Sequence, residues 1–305
     1  MVIGSIDIVV LLASLMLAST PILLAAMGEM VVEKSGVLNL GVEGMMIVGA
    51  ISGFIVAVET GSPALGFVAA AVGAAILALL FGVLTQLLLS NQVATGLGLT
   101  LFGLGVSSLM GQGYNGIRPP ASPKVSIPGL SEVPVFSQHI MVYLSLLLVL
   151  GVWWFLRSTR PGLILRAVGE SHDAAHALGY SVLGTRFAAI AFGGACAGLG
   201  GAFLSLVIVP QWTEGMTAGR GWIALAIVVF ASWRASRVLL GAYLFGGVTV
   251  LQLNLQAAGF AIPVELLSMS PYLITILVLV IISSDRRRAS ANAPASLGRP
   301  FHASS

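Results

Sequence analysis

Few residues in this 305-residue chain could do chemistry, because charged side chains make up only 8% of it. Ionisable residues inside long apolar runs are rare and count as functional candidates by default. Glu43 comes first: Gly41 and Gly44 flank it, and Asn39 lies one turn before. A carboxylate and an amide beside glycines suit a broken helix that offers backbone donors and acceptors to a polar solute. The same pattern also fits a helix cap or a hydrogen bond across helices. Arg220, between Gly219 and Gly221, is the second candidate, able to pair with Glu214, to meet an anionic group or to touch a docked protein, or else an ordinary interfacial arginine that does none of these. Gln252, Asn254 and Gln256 set three amides in one apolar run. At about 100° per helical residue, 252 and 256 share a face and 254 points roughly the other way. Trp212, Trp222, Phe54 and Phe102 could stack on a base or sugar ring, although anchoring at the interface or packing is the simpler role for each.

Other chemistries are excluded by what is missing. The only two lysines are Lys34, after Glu33, and Lys124, after Pro123, so no Gly-Lys-Ser/Thr phosphate loop exists. Cys196 is the single cysteine, which rules out an intrachain disulfide. His172 and His176 stand one turn apart but have no third ligand nearby, so no metal site is expected. There is no Gly-x-Ser-x-Gly and no His-Glu-x-x-His. The net charge of +3 is too small to point to nucleic acid. The chain is expected to be no enzyme and to carry no cofactor of its own.

The elements that must position these residues follow from composition. The hydrophobic share is 57% and the mean hydropathy +1.02, far from a soluble domain's balance. About 20 apolar residues cross a bilayer as a helix. Runs of that length predict an all-α polytopic membrane protein with about nine spans (eight to ten). They lie at 7–27, 37–58, 64–89, 93–112, 139–156, 184–209, 213–233, 238–258 and 266–284. The first run has an acid and no Lys or Arg ahead of it, so it is expected to stay as an anchor. Segment 213–233 is continuously apolar only over 221–233 and reads as a half-helix or re-entrant element. Segment 28–44 brings Glu29, Glu33, Asn39 and Glu43 to the edge of an apolar run, and irregular backbone there must line a cavity or be buried in protein. Residues 1–284 form one transmembrane domain, and 285–305, polar and proline-punctuated, reads as a disordered tail.

Charge placement orients the spans. Arg157, Arg160, Arg166 and Arg186 lie between spans five and six, Arg234 and Arg237 two connections later, and Arg286, Arg287 and Arg288 after the last span. The positive-inside rule puts all three groups, and the C-terminus, in the cytoplasm. The stretch 113–138, with five prolines, becomes an external loop, where Arg118 and Lys124 run against the rule. Within 157–186, Ser171 can cap a short helix over 171–178, with Asp173 in its first turn and Gly179 as its stop. A short helix of this kind suits docking into a groove of another protein.

That segment resembles the coupling loop of bacterial ABC importer permeases, in the branch for simple sugars, nucleosides and branched-chain amino acids. The resemblance rests on Leu165-Arg166-Ala167-Val168-Gly169-Glu170, the pair Ala174-Ala175, and Gly179. It extends to Ser35-Gly36-Val37-Leu38-Asn39-Leu40-Gly41-Val42-Glu43-Gly44, whose Asn-Leu-Gly-x-Glu-Gly form is similar to nucleoside-type permeases working with basic-membrane-protein-type lipoproteins. Asn91-Gln92-Val93-Ala94-Thr95-Gly96, Gly219-Arg220-Gly221-Trp222 and Ser270-Pro271-Tyr272 also match, so the resemblance covers residues from about 15 to 285.

The resemblance implies a permease subunit at the inner (plasma) membrane, working by alternating access. A separate ABC ATPase would use ATP, docking on Arg166, Glu170, Asp173, Ala174, Ala175 and Gly179. A second permease half, a related chain or a second copy, would complete the pathway, and an external lipoprotein would deliver a small polar solute. The solute pathway would draw on Asn39, Glu43, Arg220, Gln252, Asn254 and Gln256. Membrane lipid surrounds such a protein, and no nucleic acid is implied. A sugar or branched-chain amino acid importer is the near alternative. An ion-coupled secondary transporter is the distant one, disfavoured because Glu43 is the sole good intramembrane ion ligand.

Overall fold

A computed structural model describes residues 2–3, 6–126, 133–257 and 292–302, with isolated positions among 269–280. Its helices are α1 Ile8–Lys34, α2 Val42–Thr60, α3 Pro63–Gly82, α4 Gln92–Gly111, α5 Ile140–Ser158, α6 Arg160–Glu170, α7 His172–Ala177, α8 Val182–Phe203, α9 Arg220–Phe230 and α10 Ala235–Ala257. Five-residue π-turns, Val83–Leu87 and Leu204–Ile208, extend α3 and α8. Among the described residues seven helices are long and apolar enough to cross a membrane, and the chain is an all-α polytopic membrane protein. The expected ninth span, 266–284, falls almost wholly outside the described residues, as does 285–291.

The bundle is built around α8, which packs on α1, α2 and α3, while α4 lies on α2, and α5 and α10 lie on α1. Without a hydrophobic drive between helices in lipid, such packing depends on small residues that let backbones approach. Gly49 and Gly198 show it: a Cβ on Gly49 would sit 2.3 Å from the Gly198 Cα. The glycines on α2 and around Cys196 therefore form a packing surface, as their four-residue spacing suggests. Met27, Met30, Met45 and Met46, all fully buried, fill the irregular space between these close-set backbones.

Two boundaries differ from the sequence reading. Helix α1 runs to Lys34 rather than ending near 27, because Glu29 and Glu33 are buried in the bundle instead of meeting solvent. The irregular segment is thus 35–41 alone. Segment 213–233 resolves into turns followed by the eleven-residue α9, too short to span, in keeping with the expected half-helix. At one end of the bundle, β1 Lys124–Ser126 pairs antiparallel with β2 Ser137–His139 within the proline-rich loop. His139 then caps α5, its Nδ1 accepting from the Met141 N–H at 3.2 Å.

Residues 292–302 depart most from expectation. Read from sequence as part of a disordered tail, they lie against the opposite, basic end of the bundle. The Ser296 N–H donates to Gly169 O at 2.9 Å and the Gly298 N–H to Gly36 O at 3.1 Å. Phe301 is buried with Val168, Ala175 and Val182. Its apolar ring fills a niche between α6, α7 and α8 that composition alone does not reveal.

Candidate functional site

The start of α2 and the turns before α9 form one polar centre. Glu43 is 3% exposed, and both carboxylate oxygens are taken. Oε1 accepts from Thr217 Oγ1 at 2.5 Å and from the Gly219 N–H at 2.8 Å, and Oε2 accepts from the Gly221 N–H at 2.7 Å. Helix α9 has a glycine at its N-cap, Gly219 with φ +80°, and so no side-chain cap of its own. Glu43 supplies the cap from another helix, with its charge at the positive end of the α9 dipole. Gly221 is required because a Cβ there would lie 2.6 Å from Glu43 Cα. The Gly-Arg-Gly pattern is therefore explained by this contact.

Asn39, fully buried, closes the turn before α2: its Oδ1 accepts from the Gly41 N–H at 3.0 Å, and its Nδ2 donates to Met45 Sδ at 3.4 Å. Arg220 donates through Nη1 to Met216 O at 2.8 Å and Thr217 O at 3.3 Å, which steadies the same turns. Asn39, Glu43 and Arg220 thus come together around the loops 35–41 and 213–219. Gln252, Asn254 and Gln256 sit half-buried on α10, which packs on α1 and α9, and Asn254 Nδ2 bonds Val250 O within its own helix. Phe54 and Trp212 are core residues, while Phe102 and Trp222 face outward.

The segment 157–186 folds as its capping residues dictate. The Ser171 Oγ accepts from the Ala174 N–H at 3.3 Å to start α7, and Gly179 at φ +86° follows its end. Thr159 does the same for α6, accepting from the Gly162 N–H at 3.1 Å, with Pro161 in the first turn. Glu170, Asp173, Ala174 and Gly179 are exposed, as are Leu163 and Leu178, whereas Ala175 is buried and Arg166 half-buried. Two short helices and the turn after α7 thus carry these exposed residues, and α8 reaches back to Val182.

Sequence reasoning missed Arg186, counted there only as a loop charge. Among the described residues it is the largest fully buried side chain, and it lies inside α8. Its Nε donates to Ser35 O at 3.3 Å, and Nη1 donates to Gln86 Oε1 at 3.0 Å and Arg299 O at 3.2 Å. Its Nη2 lies 3.4 Å from His172 Nδ1. The π-turn after α3 is what presents Gln86. Arg186 ties the 35–36 loop, α3, α7 and the C-terminal segment together. Its phase with Ala189, Ile190 and Gly193 was the available sign that it faces inward.

Burial first, then the Arg186 charge, hold the His172 imidazole below its usual value, with Asp173 opposing. The Nδ1 facing Arg186 must be the acceptor, which leaves the Nε2–H toward Asp173 Oδ1, 3.5 Å away. Among the described residues no group of three His, Cys, Asp or Glu side chains could hold a metal ion.

A polytopic helical bundle with broken, internally capped segments and a capped helical pair at its basic end has the architecture of a membrane permease. The chain belongs to the branched-chain amino acid transport system / permease component family, whose model matches residues 11–282. It is 43% identical over 290 residues to a putative glucose ABC transporter permease protein of Haloferax volcanii, covering 86% of this chain and 88% of that one. A nucleoside ABC transporter permease protein of Lactococcus lactis is 31% identical, covering 89% and 92% of the two chains. A guanosine ABC transporter permease protein of Bacillus subtilis is 30% identical, covering 86% and 88%. No solved structure matches. The chain is a permease subunit of an ABC importer, a transport component of the membrane.

Proposed function

We propose that this chain forms one half of the translocation pathway for nucleosides or sugars and is driven through α6 and α7 by a separate ATPase. The solute class rests on the relatives, whose names give glucose, nucleosides and guanosine. The mechanism rests on one observation: hydrogen bonds lead from the exposed α7 to the interior. His172 meets Arg186, Arg186 holds Ser35 O, and the loop 35–41 leads to Asn39 and to Glu43, which caps α9. Displacing α7 therefore shifts the loop and the turns at 213–219 together. Linked elements with two arrangements are what alternating access requires.

In this reading Glu170, Asp173, Ala174 and Gly179 present the docking face, and Arg166 and Ala175 hold it from beneath. Asn39, Glu43 and Arg220 shape the pathway wall, and Gln252 and Gln256 line a second polar strip, with Asn254 on the opposite face of α10. A second permease half completes the path, and an external lipoprotein delivers the solute. ATP is consumed by the partner, with no cofactor in this chain. The basic end faces the cytoplasm.

The test is uptake of labelled guanosine and glucose by vesicles holding all partner subunits. Glu170→Arg is expected to lower uptake about tenfold, a loss of about 1.4 kcal/mol of coupling, while insertion and basal ATP hydrolysis stay normal. Unchanged uptake would remove Glu170 from the docking face. Uptake driven by an ion gradient without ATP would overturn the mechanism in favour of a secondary transporter.

A further inference from the structure

We propose that the cavity between α1, α5, α6 and the α9–α10 turn binds the phosphate of an anionic phospholipid in the leaflet at the basic end. The cavity measures about 390 Å³ and is lined by Lys34, Arg157, Arg166 and Arg234, together with Trp153 and Trp233. Each cation comes from a different element: the last residue of α1, the last turn of α5, the middle of α6, and the turn before α10. The volume lies in the range of small-ligand pockets.

Among the described residues no carboxylate lines this cavity. Among the described residues two acids stand close by: Glu33 is fully buried with its Oε2 taken by the Trp233 indole, and Glu170, exposed at the end of α6, offsets part of the positive charge around Lys34. Among the described residues none of the four cations forms an ion pair. Lys34 Nζ donates to a neutral acceptor, Asn292 O, at 2.8 Å. The Arg157 guanidinium lies over the Trp153 ring, 5.5 Å from its centroid. The Arg166 Nε is buried and has no partner. Four like charges sharing one cavity repel, and a buried donor without a partner is costly. An anion with several acceptor oxygens answers both, and guanidinium groups bind phosphate through charge-assisted bonds.

The position selects a lipid as the source of that phosphate. Trp153 is 47% exposed at the mouth, an aromatic at headgroup depth, where Trp side chains settle. Above it α5 and α10 turn apolar side chains outward, Leu150 and Trp154 on one and Leu240 and Leu244 on the other. Acyl chains would lie on these while the phosphate enters the cavity. Basic pockets between spanning helices hold anionic headgroups in this way. Because Arg166 belongs to α6, an occupied site would also fasten the coupling segment to α5 and to the α9–α10 turn.

The full-length chain in detergent can be titrated with dihexanoyl-phosphatidylglycerol, dihexanoyl-phosphatidylcholine and inorganic phosphate, reading tryptophan fluorescence. Phosphatidylglycerol is expected to give a saturable change that phosphatidylcholine does not. The double variant Arg157→Gln, Arg234→Gln should bind it about thirtyfold more weakly. If that variant does not fold, Lys34→Gln carries the test, with binding about fivefold weaker. Affinity unchanged in a folded variant overturns the proposal. Equal response to inorganic phosphate makes this a soluble-anion site and overturns the lipid assignment. No saturation with phosphatidylglycerol, but a change on adding the partner ATPase, assigns the cavity to a protein contact and also overturns it.

Discussion

Glu43 illustrates how a residue's role depends on what its oxygens meet. Its type and neighbours mark it for a polar task, and three donors from one turn decide which task. Glu43→Gln keeps the shape but turns an NH2 group toward backbone N–H groups, so it is expected to cost about 2 kcal/mol. Thermal melting and uptake should fall together, and a variant with wild-type values for both would remove the cap from the mechanism. Arg186 carries a second test. Arg186→Met orphans the Gln86 oxygen and frees the carbonyls of Ser35 and Arg299, at an expected cost of about 3 kcal/mol. Transport should be lost while ATP hydrolysis continues. Arg186→Lys should fall between, because an ammonium cannot serve several acceptors in a plane.

At the scale of the element, α7 was largely readable, whereas α6 and the partners gathered by α8 were not. Ser171 and Gly179 announce α7 because caps are local chemistry. Ser181 caps the helix after it, accepting from the Gly184 N–H, and the phase of Arg186 points inward, but nothing local names the acceptors of that arginine, which come from three other segments. The contact between α7 and α8 also predicts a pH response. The folded-state imidazole of His172 is held below its usual 6.5, so the unfolded or undocked state binds more protons just below that pH. Docking of α7 is therefore complete above about pH 6.5 and weakens as pH falls toward the depressed folded-state value. Exchange of the α7 amides, corrected for intrinsic rate, should be faster at about pH 5.5 than at about pH 7.5. His172→Gln should flatten that difference, and a response that survives the substitution would place its origin in another group.

Across the whole molecule, the segment 292–302 joins the ends of the chain's polar network. It accepts from Lys34 and Arg186, bonds Gly36 and Gly169, and sets Phe301 between His172 and His176 at ring distances of 5.5 and 5.3 Å. Phe301→Ala should release this segment at a local cost of up to about 3 kcal/mol. Exchange in 292–302 and α7 should then rise by up to about a hundredfold, with the transmembrane helices unchanged. Equal protection in wild type and variant would show that the segment does not brace α7.

The sequence by itself determined the membrane class, most of the spans, the basic end and the capped helix α7. All of these follow from local composition, period and caps, which a chain carries wherever it folds. Only the tertiary structure decided that Glu43 caps α9, that Arg186 is a buried link, that Glu29 and Glu33 lie within a helix, and that 292–302 is packed. Each of those depends on a donor, acceptor or niche supplied from far along the chain, at separations such as 178 residues between Glu43 and Gly221. Polar groups in an apolar surrounding must find partners somewhere. Their types are written in the sequence, and the identity of the partner is fixed only when the helices meet.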